Sequence, residues 1–230
     1  MLINADFNER AVVHAARLDW ISSPMAGVDR RMLDRIGDEV ARATSIVRYA
    51  AGSAFSPHTH DGGEEFLVLD GVFQDEHGDY PAGTYVRNPP TSRHTPGAEL
   101  GCLMFVKLHQ FDPADRTFVR IDTGRIGRVT DPERPDIEVS PLFEDARETV
   151  QLETITPGAP VEIGDAGGFE MLVLDGALTV DGEEYEPQSW LRLPPGDCAK
   201  LVAGPGPATV WVKRRHLRQS VLNAGVLAVS

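Results

Sequence analysis

Four side chains in the first half of the sequence have the types and spacing of a metal-binding set: His58, His60, Glu64 and His94. His58 and His60 are separated by one residue, so on a β-strand their side chains project from the same face. Glu64 follows an Asp-Gly-Gly turn, and His94 follows a second strand-like segment and a Pro-Pro bend, so paired strands could bring all four together. Imidazole nitrogens with one carboxylate oxygen suit a divalent transition ion.

Each of these residues also has an ordinary interpretation. A single histidine is most often an exposed or satisfied side chain, and one His-x-His pair can arise by chance. The full set is more specific, because four candidate ligands occur at spacings that strand pairing can bring together. Glu65 is the alternative carboxylate. Glu64 shares strand parity with Phe66 and Val68, which leaves Glu65 on the opposite face, so we expect Glu64 to be the ligand.

The spacing of these residues repeats the two motifs of a known family. The first motif, G-x5-H-x-H-x3-E-x6-G, matches at every fixed position from Gly52 to Gly71. The second, G-x5-P-x-G-x2-H-x3-N, matches from Gly83 except that Thr91 replaces the second glycine and Ala98 replaces the asparagine. The chain thus resembles the cupins, and the resemblance implies a β-barrel that holds a metal by the histidines and glutamate of these motifs. Neither departure is at a ligand position, so both concern the turn geometry.

The composition argues against several classes of function. The chain has 230 residues, 41% of them hydrophobic, and a formal net charge of −13. This acidity argues against nucleic acid as a partner, because phosphates require clustered lysine and arginine. No apolar run is long enough to predict a membrane span, and the N-terminus shows no secretory signal, so we expect a cytoplasmic protein. Two cysteines are too few for a disulfide framework.

Most of the sequence has the texture of β-strands. Short apolar or alternating segments are separated by glycines and acidic turns, and few stretches could form a long amphipathic helix. The runs 66–69 and 101–108 are apolar on both faces, which indicates strands buried on both sides. Residues 116–140 lose this periodicity, as a linker would. We therefore predict an all-β fold with an N-terminal domain at 1–115 and a C-terminal domain at 141–230.

An internal repeat relates the two halves. The run that ends at Gly71 returns at Gly176, and the bend at Pro89 returns at Pro194, each at an offset of 105 residues. Two separated motifs with one shared offset indicate a tandem duplication. Together with the resemblance to cupins, the repeat predicts two barrels of the double-stranded β-helix (jelly-roll) type in one chain, a bicupin.

The same repeat predicts that the first half alone holds this metal. The offset carries the four ligand positions onto Ile163, Asp165, Phe169 and Ala199, and none of these is histidine. Phe169 would fill the volume that Glu64 and the ion occupy in the first half. We therefore expect the second barrel to be a structural partner or a degenerate ligand pocket.

A narrower resemblance rests on longer segments. Residues 25–110 include G-G-E-E-F-L-V-L-D-G and G-D-Y-P-A-G-T-Y-V-R-N-P-P, and they resemble the cupin domain of ChrR-type anti-sigma factors. Acetylacetone-cleaving dioxygenases have related cupins. In ChrR-type proteins the cupin binds zinc, and a separate helical domain with its own His/Cys zinc site binds the sigma factor. This sequence has no C-x-x-C and begins with strand-like segments, so a sigma factor is not expected as a partner.

The four candidate ligands allow two classes of function. Around tetrahedral zinc they close the site, which suits a sensing or regulatory module without turnover. Around octahedral iron, manganese or nickel they leave two positions for a chelating substrate and dioxygen. We predict one divalent transition metal per chain (Zn, Fe, Mn or Ni) and a dioxygenase acting on a small metal-chelating molecule. The zinc module is the alternative, so the sequence leaves open whether the protein is an enzyme.

Three further residues are candidates for the wall of the pocket. Tyr85 and Arg87 share parity on the strand before His94 and could orient an anionic substrate, although a structural ion pair would also explain Arg87. Cys102 could approach the metal or be a buried small hydrophobe. The outer faces of the apolar strands also need cover. We therefore expect the two halves to pack together and the chain to form a homodimer.

Overall fold

The computed structural model describes residues 1–38 and 40–218. Its regular structure is almost entirely β-strand, as predicted, and within the described residues the one helical element is a short 3₁₀ helix, Ala15–Arg17. Neighbouring strands pair antiparallel in both halves of the chain. None of the described residues forms a helix that is long and apolar enough to cross a membrane.

The strands follow one another closely along the chain. Up to residue 124 they are β1 (Leu2–Ile3), β2 (Ala11–His14), β3 (Ile21–Ser22), β4 (Val28–Gly37), β5 (Ala41–Tyr49), β6 (Ser53–Ala54), β7 (His58–His60), β8 (Glu64–Asp75), β9 (Gly78–Pro81), β10 (Thr84–Asn88), β11 (Ser92–His94), β12 (Gly97–Ala98), β13 (Cys102–Leu108) and β14 (Val119–Asp122). The later strands are β15 (Val129–Thr130), β16 (Ile137–Glu144), β17 (Thr149–Ile155), β18 (Pro160–Gly164), β19 (Phe169–Asp175), β20 (Leu178–Val180), β21 (Glu183–Tyr185), β22 (Ser189–Leu193), β23 (Cys198–Ala203) and β24 (Ala208–Arg214).

The chain divides into two compact units. Among the described residues, unit 1 comprises Met1–Ala5 and Leu18–Gly124, and unit 2 comprises Asp6–Arg17 and the residues from Arg125 onward. The main sheet of unit 1 has the strand order β1-β4-β5-β13-β8-β10-β14, and β7 pairs with β11 in a separate two-stranded sheet. Unit 2 contains a seven-stranded sheet, β15-β16-β17-β24-β19-β22-β2, and a four-stranded sheet, β18-β23-β20-β21.

One face of β8 is the centre of the apolar core of unit 1. Phe66 and Val68 alternate along this strand and both join the core, together with Val86 of β10 and Val106 of β13. The strand register explains the cluster, because Phe66 lies opposite Val86 on one side and opposite Val106 on the other. Glu64 has the same parity as Phe66, so its side chain belongs to this inner face.

Unit 2 has an apolar core of its own. Phe169, Met171 and Val173 alternate along β19, and they pack with Leu191 and Leu193 of β22. Alternate residues of a strand share one face, which accounts for the spacing of these contributors. The interior of unit 2 at these positions thus contains no histidine, cysteine or carboxylate side chain.

The pairing of β10 with β8 in unit 1 and that of β22 with β19 in unit 2 are related by the sequence offset of 105. In unit 1, Tyr85 of β10 lies opposite Leu67 of β8. In unit 2, Trp190 of β22 lies opposite Leu172 of β19. Both partners are displaced by the same 105 residues along the chain. Corresponding sequence motifs therefore occupy corresponding positions in the two ladders.

Part of the segment expected to be a linker, 116–140, is strand instead. β14 pairs with β10 at the edge of the unit 1 sheet, with Arg120 opposite Val86. β15 pairs with β16 in unit 2. The expectation of a structureless linker is wrong for these residues. An edge strand is covered on one side only and so needs few apolar side chains, and β14 alternates between half-buried and exposed positions.

Candidate metal centre

Two short strands bring three histidines together. β7 carries His58 and His60 and pairs with β11, which places His94 directly opposite His58. The three imidazole rings meet edge to face, with centroids 4.8, 5.0 and 4.8 Å apart. One nitrogen of each ring lies within 4.8 Å of the other two. Within the described residues, this is the group of three or more His, Cys, Asp or Glu side chains that could hold a metal ion.

Glu64 approaches the same point from β8. Its Oε2 lies 3.3 Å from Nε2 of His60 and 3.9 Å from Nε2 of His94. The Nε2 atoms of the two histidines are 2.9 Å apart. Ligand atoms that share one ion at metal–ligand distances of roughly 2.0–2.2 Å lie about 3–4 Å from one another. The structure therefore brings Oε2 of Glu64 close to Nε2 of His60 and His94.

Gly63 permits the turn that places Glu64 close to the histidines. Gly63 has a φ of 76°, and a Cβ added there would lie 2.5 Å from the ring of Phe111. The backbone N–H of His109 donates a hydrogen bond to the carbonyl of Gly63 at 3.1 Å. The turn from β7 to β8 therefore packs directly against the segment that follows β13, and His109 supports this turn.

Buried polar groups orient the candidate ligands from behind. Oδ2 of Asp75 lies 3.4 Å from Nδ1 of His94, and both oxygens of Asp75 accept a hydrogen bond from the hydroxyl of Tyr80 at 3.0 Å. The amide of Asn88, which lies opposite Glu64 in the ladder, donates to Oε2 of Glu64 at 3.2 Å. Such partners fix the tautomer and orientation of ligand side chains. Asp75 and Asn88 were not predicted from the sequence. Asn88 lies directly opposite Glu64 once β10 is paired with β8, so a prediction of that pairing would have found it.

Burial governs the charge state of the centre. Burial, followed by the charge of His58, lowers the pKa of His60 to about 3. Burial also lowers the pKa of His94, although Glu64 opposes that change. The same burial raises the pKa of Glu64 against the attraction of His94. Neutral imidazoles next to a carboxylate that lacks a full countercharge form a donor set that a divalent cation would satisfy.

A cavity of about 320 Å³ adjoins the centre on the side of His94. Part of the cavity wall comes from β14 and from Phe118, the residue before it. These residues lie in the segment that was predicted to be a linker, so this part of the wall was not predicted from the sequence. The side chains that line the cavity include Asp75, Val86, Asn88, Ser92, Arg93, His94, Phe118, Val119 and Arg120.

Tyr85 and Arg87 do not line this cavity, so the prediction that they do is wrong. They face the side of the sheet opposite Glu64, because their ladder partners are Leu67 and Glu65. The hydroxyl of Tyr85 donates to Oε1 of Glu65 at 2.6 Å, and Nη1 of Arg87 lies 3.9 Å from Oε2 of the same carboxylate. Both residues belong to a buried polar cluster, which agrees with the structural ion pair considered for Arg87.

Cys102 is a packing residue and is also absent from the cavity wall. It is 6% exposed, it belongs to the apolar core of unit 1, and its ladder partners are Tyr49 and Gly71. Burial raises the pKa of its thiol to about 12. A neutral thiol at this position acts as a small hydrophobic group.

The corresponding positions of unit 2 are filled by apolar packing. Ile163 lies opposite Ala199 in the ladder of β18 and β23, in the pairing that joins two of the histidines in unit 1. Phe169 is fully buried and belongs to the core of unit 2. The carboxylate of Asp165 accepts a hydrogen bond from a backbone N–H of its own turn at 2.6 Å. These residues have structural contacts, and none of them belongs to the histidine group of the described residues.

The turn before His94 keeps its geometry although the motif glycine is absent. Thr91 has a φ of 72°, in the left-handed region that favours glycine, and its N–H donates to the carbonyl of His60 at 2.9 Å. At the corresponding position of unit 2, Gly196 has a φ of 80° and donates to the carbonyl of Asp165 at 3.0 Å. The departure from the motif therefore introduces backbone strain at Thr91 while the turn itself is retained.

The antiparallel strands, the apolar inner face and the convergence of an H-x-H strand with a glutamate and a third histidine are features of the cupin fold. Residues 8–112 match the family model described as the ChrR cupin-like domain. None of the curated protein sequences compared with the chain matches it.

Solved structures share this fold at low sequence identity. A Nostoc punctiforme protein described as a candidate dioxygenase has a TM-score of 0.74 at 14% identity, over 92% of this chain and 85% of that chain. The Escherichia coli pirin YhhW in complex with nickel(II) has a TM-score of 0.63 at 13% identity, over 89% and 98%. A deletion mutant of the Bacillus subtilis oxalate decarboxylase OxdC has a TM-score of 0.62 at 11% identity, over 88% and 76%. At these identities the likeness concerns the fold alone.

Proposed function

We propose that unit 1 binds one divalent transition metal through His58, His60, Glu64 and His94, and that it is a dioxygenase acting on a small molecule that chelates this metal. The observation that carries the proposal is the convergence of Nε2 of His60 and His94 with Oε2 of Glu64, next to a cavity of about 320 Å³ that reaches the ring of His94. A purely structural ion would need the ligands but would have no use for the cavity.

The donor set fits such a metal. Its candidate ligands are imidazole nitrogens and a buried carboxylate, a combination that suits Zn, Fe, Mn or Ni. An octahedral ion held by four side chains keeps two positions for other ligands. When bound, a metal of this kind supplies Lewis acidity and a place where dioxygen and substrate oxygens can meet.

The side chains around the centre have supporting roles. The carboxylate of Asp75 lies 3.4 Å from Nδ1 of His94, where it can orient the ring, and the hydrogen bond from Asn88 orients Glu64. The ring of Phe73, which is 2% exposed, lies 5.7 Å from the ring of His94 and forms an apolar side of the centre. A dry surrounding strengthens every electrostatic interaction with a bound substrate.

Two measurements on the purified full-length chain test this proposal. Metal content is determined after purification without added metal, and oxygen consumption is then measured with small diketones and 2-oxo acids after reconstitution with Fe(II). We expect oxygen uptake that is lost in His94→Ala. Arg128→Met, an exposed site in unit 2, is the control and should retain uptake. Absence of uptake with all candidate substrates in the iron-loaded protein would contradict the dioxygenase.

The second candidate function is a zinc-binding sensing or regulatory module without turnover. It is favoured by the match of residues 8–112 to the ChrR cupin-like domain. Four protein ligands would complete a tetrahedral zinc shell. Zinc at one ion per chain, together with no oxygen uptake, would favour this module over the enzyme.

We also propose that the chain is a bicupin produced by tandem duplication, with unit 2 as a barrel that has lost its metal site. The shared offset of 105 residues supports this proposal, because it recurs in the sequence motifs and in the pairing of β10 with β8 and of β22 with β19.

A homodimer is a further proposal. The molar mass in solution, measured by light scattering after size exclusion, would test it.

A further inference from the structure

We infer that the cavity beside His94 selects a small acid with an apolar body, whose carboxylate is held by Ser92 and the arginines at the cavity mouth. This inference names the substrate class and rests on the proposed function, because a metal at the centre is what would make such an acid a substrate. The inference concerns the binding step, so it is testable without catalysis.

Ser92 provides the first argument. The residue is 9% exposed and lines the cavity, and its Oγ has no hydrogen-bond partner among the described residues. A buried hydroxyl without a partner is costly, so its presence calls for an explanation. Ser92 and His94 alternate along β11 and so lie on the same face of that strand. A ligand that approaches the ring of His94 would therefore meet this hydroxyl.

The charge of the cavity wall provides the second argument. Arg93 and Arg120 line the cavity with a single carboxylate, Asp75, although the whole chain has a formal net charge of −13. Asp75 is already engaged by the hydroxyl of Tyr80. The guanidinium of Arg120 lies 4.0 Å from the ring of Tyr80 and donates to two backbone carbonyls, which holds it in place. Its remaining N–H donors are available to an anion.

The shape and polarity of the cavity set the size of the acid. Val86 and Val119 form apolar parts of the wall, and Phe118, which is 67% exposed, stands at its rim. The volume of about 320 Å³ is at the small end of ligand pockets, which run from roughly 300 to 1,000 Å³. A molecule with one carboxylate and one small apolar group satisfies both parts of this wall.

Benzoylformate, a 2-oxo acid with an aromatic body, and its neutral methyl ester form a matched pair of probes. Calorimetric titration of each probe into the full-length protein, with and without bound metal, compares their affinities. We expect the acid to bind at least about tenfold more tightly than the ester. Ser92→Ala and Arg93→Met should each weaken the acid about tenfold and leave the ester unchanged. Ser92→Ala should not lower the thermal midpoint, because its hydroxyl has no partner to lose.

The control variant is Arg128→Met, which removes the same charge from an exposed site in unit 2 and should bind the acid like the wild type. Equal affinity for acid and ester, or no measurable binding of the acid, would overturn the inference. So would wild-type affinity for the acid in both Ser92→Ala and Arg93→Met. A protein that fails to bind metal but still prefers the acid would refute the proposed metal function and support the acid-binding cavity, so the two failures are distinguishable.

Discussion

Asp75 occupies the position of an orienting carboxylate behind His94. Its carboxylate lies between Nδ1 of His94, at 3.4 Å, and the hydroxyl of Tyr80, at 3.0 Å. Nδ1 of His94 has no hydrogen-bond partner among the described residues, so this nearby carboxylate is the group placed to orient the ring, with Nε2 directed to the side where His60 and Glu64 lie. The residue therefore contributes to metal affinity without being a ligand itself.

Replacement of this carboxylate tests its role. We expect Asp75→Asn to lower metal affinity by about 10- to 100-fold, because the amide orients the imidazole less well and leaves it less basic. Competition with a chelator of known affinity would measure the change. Asp79→Asn, in the adjoining strand β9, is the matched control and should bind metal like the wild type. Equal metal affinity in both variants would show that Asp75 has no orienting role.

Glu153 is the centre of a buried ion cluster in unit 2. It is 1% exposed, and its Oε1 lies 2.8 Å from Arg134 and 2.7 Å from Arg214. Burial by itself would raise the pKa of this carboxyl, but the charges of Arg214 and Arg134 outweigh burial and lower it. The negative charge of Glu153 is therefore required by the folded state.

The low pKa of Glu153 predicts how stability depends on pH. At pH 7 we expect Glu153→Gln to lower the free energy of unfolding by about 3–5 kcal/mol, because Arg214 loses its counterion and Arg134 keeps only Asp131. A carboxyl whose folded-state pKa is depressed stabilises the fold above its ordinary value of 4.5 and loses that effect as the pH falls through the folded-state pKa. Urea unfolding at several pH values should therefore show a difference between the two proteins that narrows below pH 4.5. Glu138→Gln, at an exposed site, is the control, and an equal effect of the two substitutions would contradict this account.

The sequence pointed to the candidate ligands but not to the residues that surround them. His58, His60, Glu64 and His94 were predictable because their spacing is set by strand parity and turn length, both of which are local. The assignment of Tyr85 and Arg87 failed for a different reason. Their shared parity was correct, but parity does not say which face of a strand is the inner one, and the ladder partners on β8 decide that.

At the scale of the elements, the turn between β10 and β11 determines where His94 lies. Thr91 holds a φ of 72° in this turn, although a β-branched residue is unfavourable in the left-handed region. The glycine at the corresponding position of unit 2 adopts a φ of 80° without that cost. Unit 1 therefore carries local strain close to its candidate centre.

Substitution of the strained residue should stabilise the protein. We expect Thr91→Gly to raise the free energy of unfolding by about 0.5–1 kcal/mol, because the relief of strain exceeds the extra entropy of glycine in the unfolded chain. The reciprocal change Gly196→Thr should destabilise unit 2 through the same conformation. The midpoints of urea unfolding would measure both changes. A destabilised Thr91→Gly would show that the side chain of Thr91 makes a contribution larger than the strain.

Edge strands were the elements that the sequence predicted least well. β8 and β13 were predicted correctly as strands, because strands buried on both faces have continuous apolar sequences. β14 has an alternation of polar and half-buried residues that resembles a loop, and its pairing with β10 depends on a partner about thirty-five residues earlier in the chain. The part of the cavity wall that β14 supplies therefore could not be predicted from local sequence patterns.

At the scale of the whole molecule, the two units share part of their architecture and differ at the candidate ligand positions. The pairing of β10 with β8 corresponds to that of β22 with β19 at the offset of 105 residues, and both units have the left-handed turn. Unit 1 has histidines where unit 2 has Ile163 and Ala199, which lie opposite each other in the ladder and are buried. The repeat could be detected in the sequence because two separated motifs share one offset. The same offset showed that the second half has no histidines at the positions of the candidate ligands, so this difference between the halves was also predictable.

The most direct test of this account is the metal stoichiometry of the purified chain, determined by elemental analysis after equilibration with a divalent transition metal and removal of excess. We predict one ion per chain in the wild type, none in the double variant His60→Ala/His94→Ala, and one in Ile163→Val, which alters only unit 2. Two ions per chain, or one ion retained in the double variant, would contradict the assignment of a single metal centre to the histidines of unit 1.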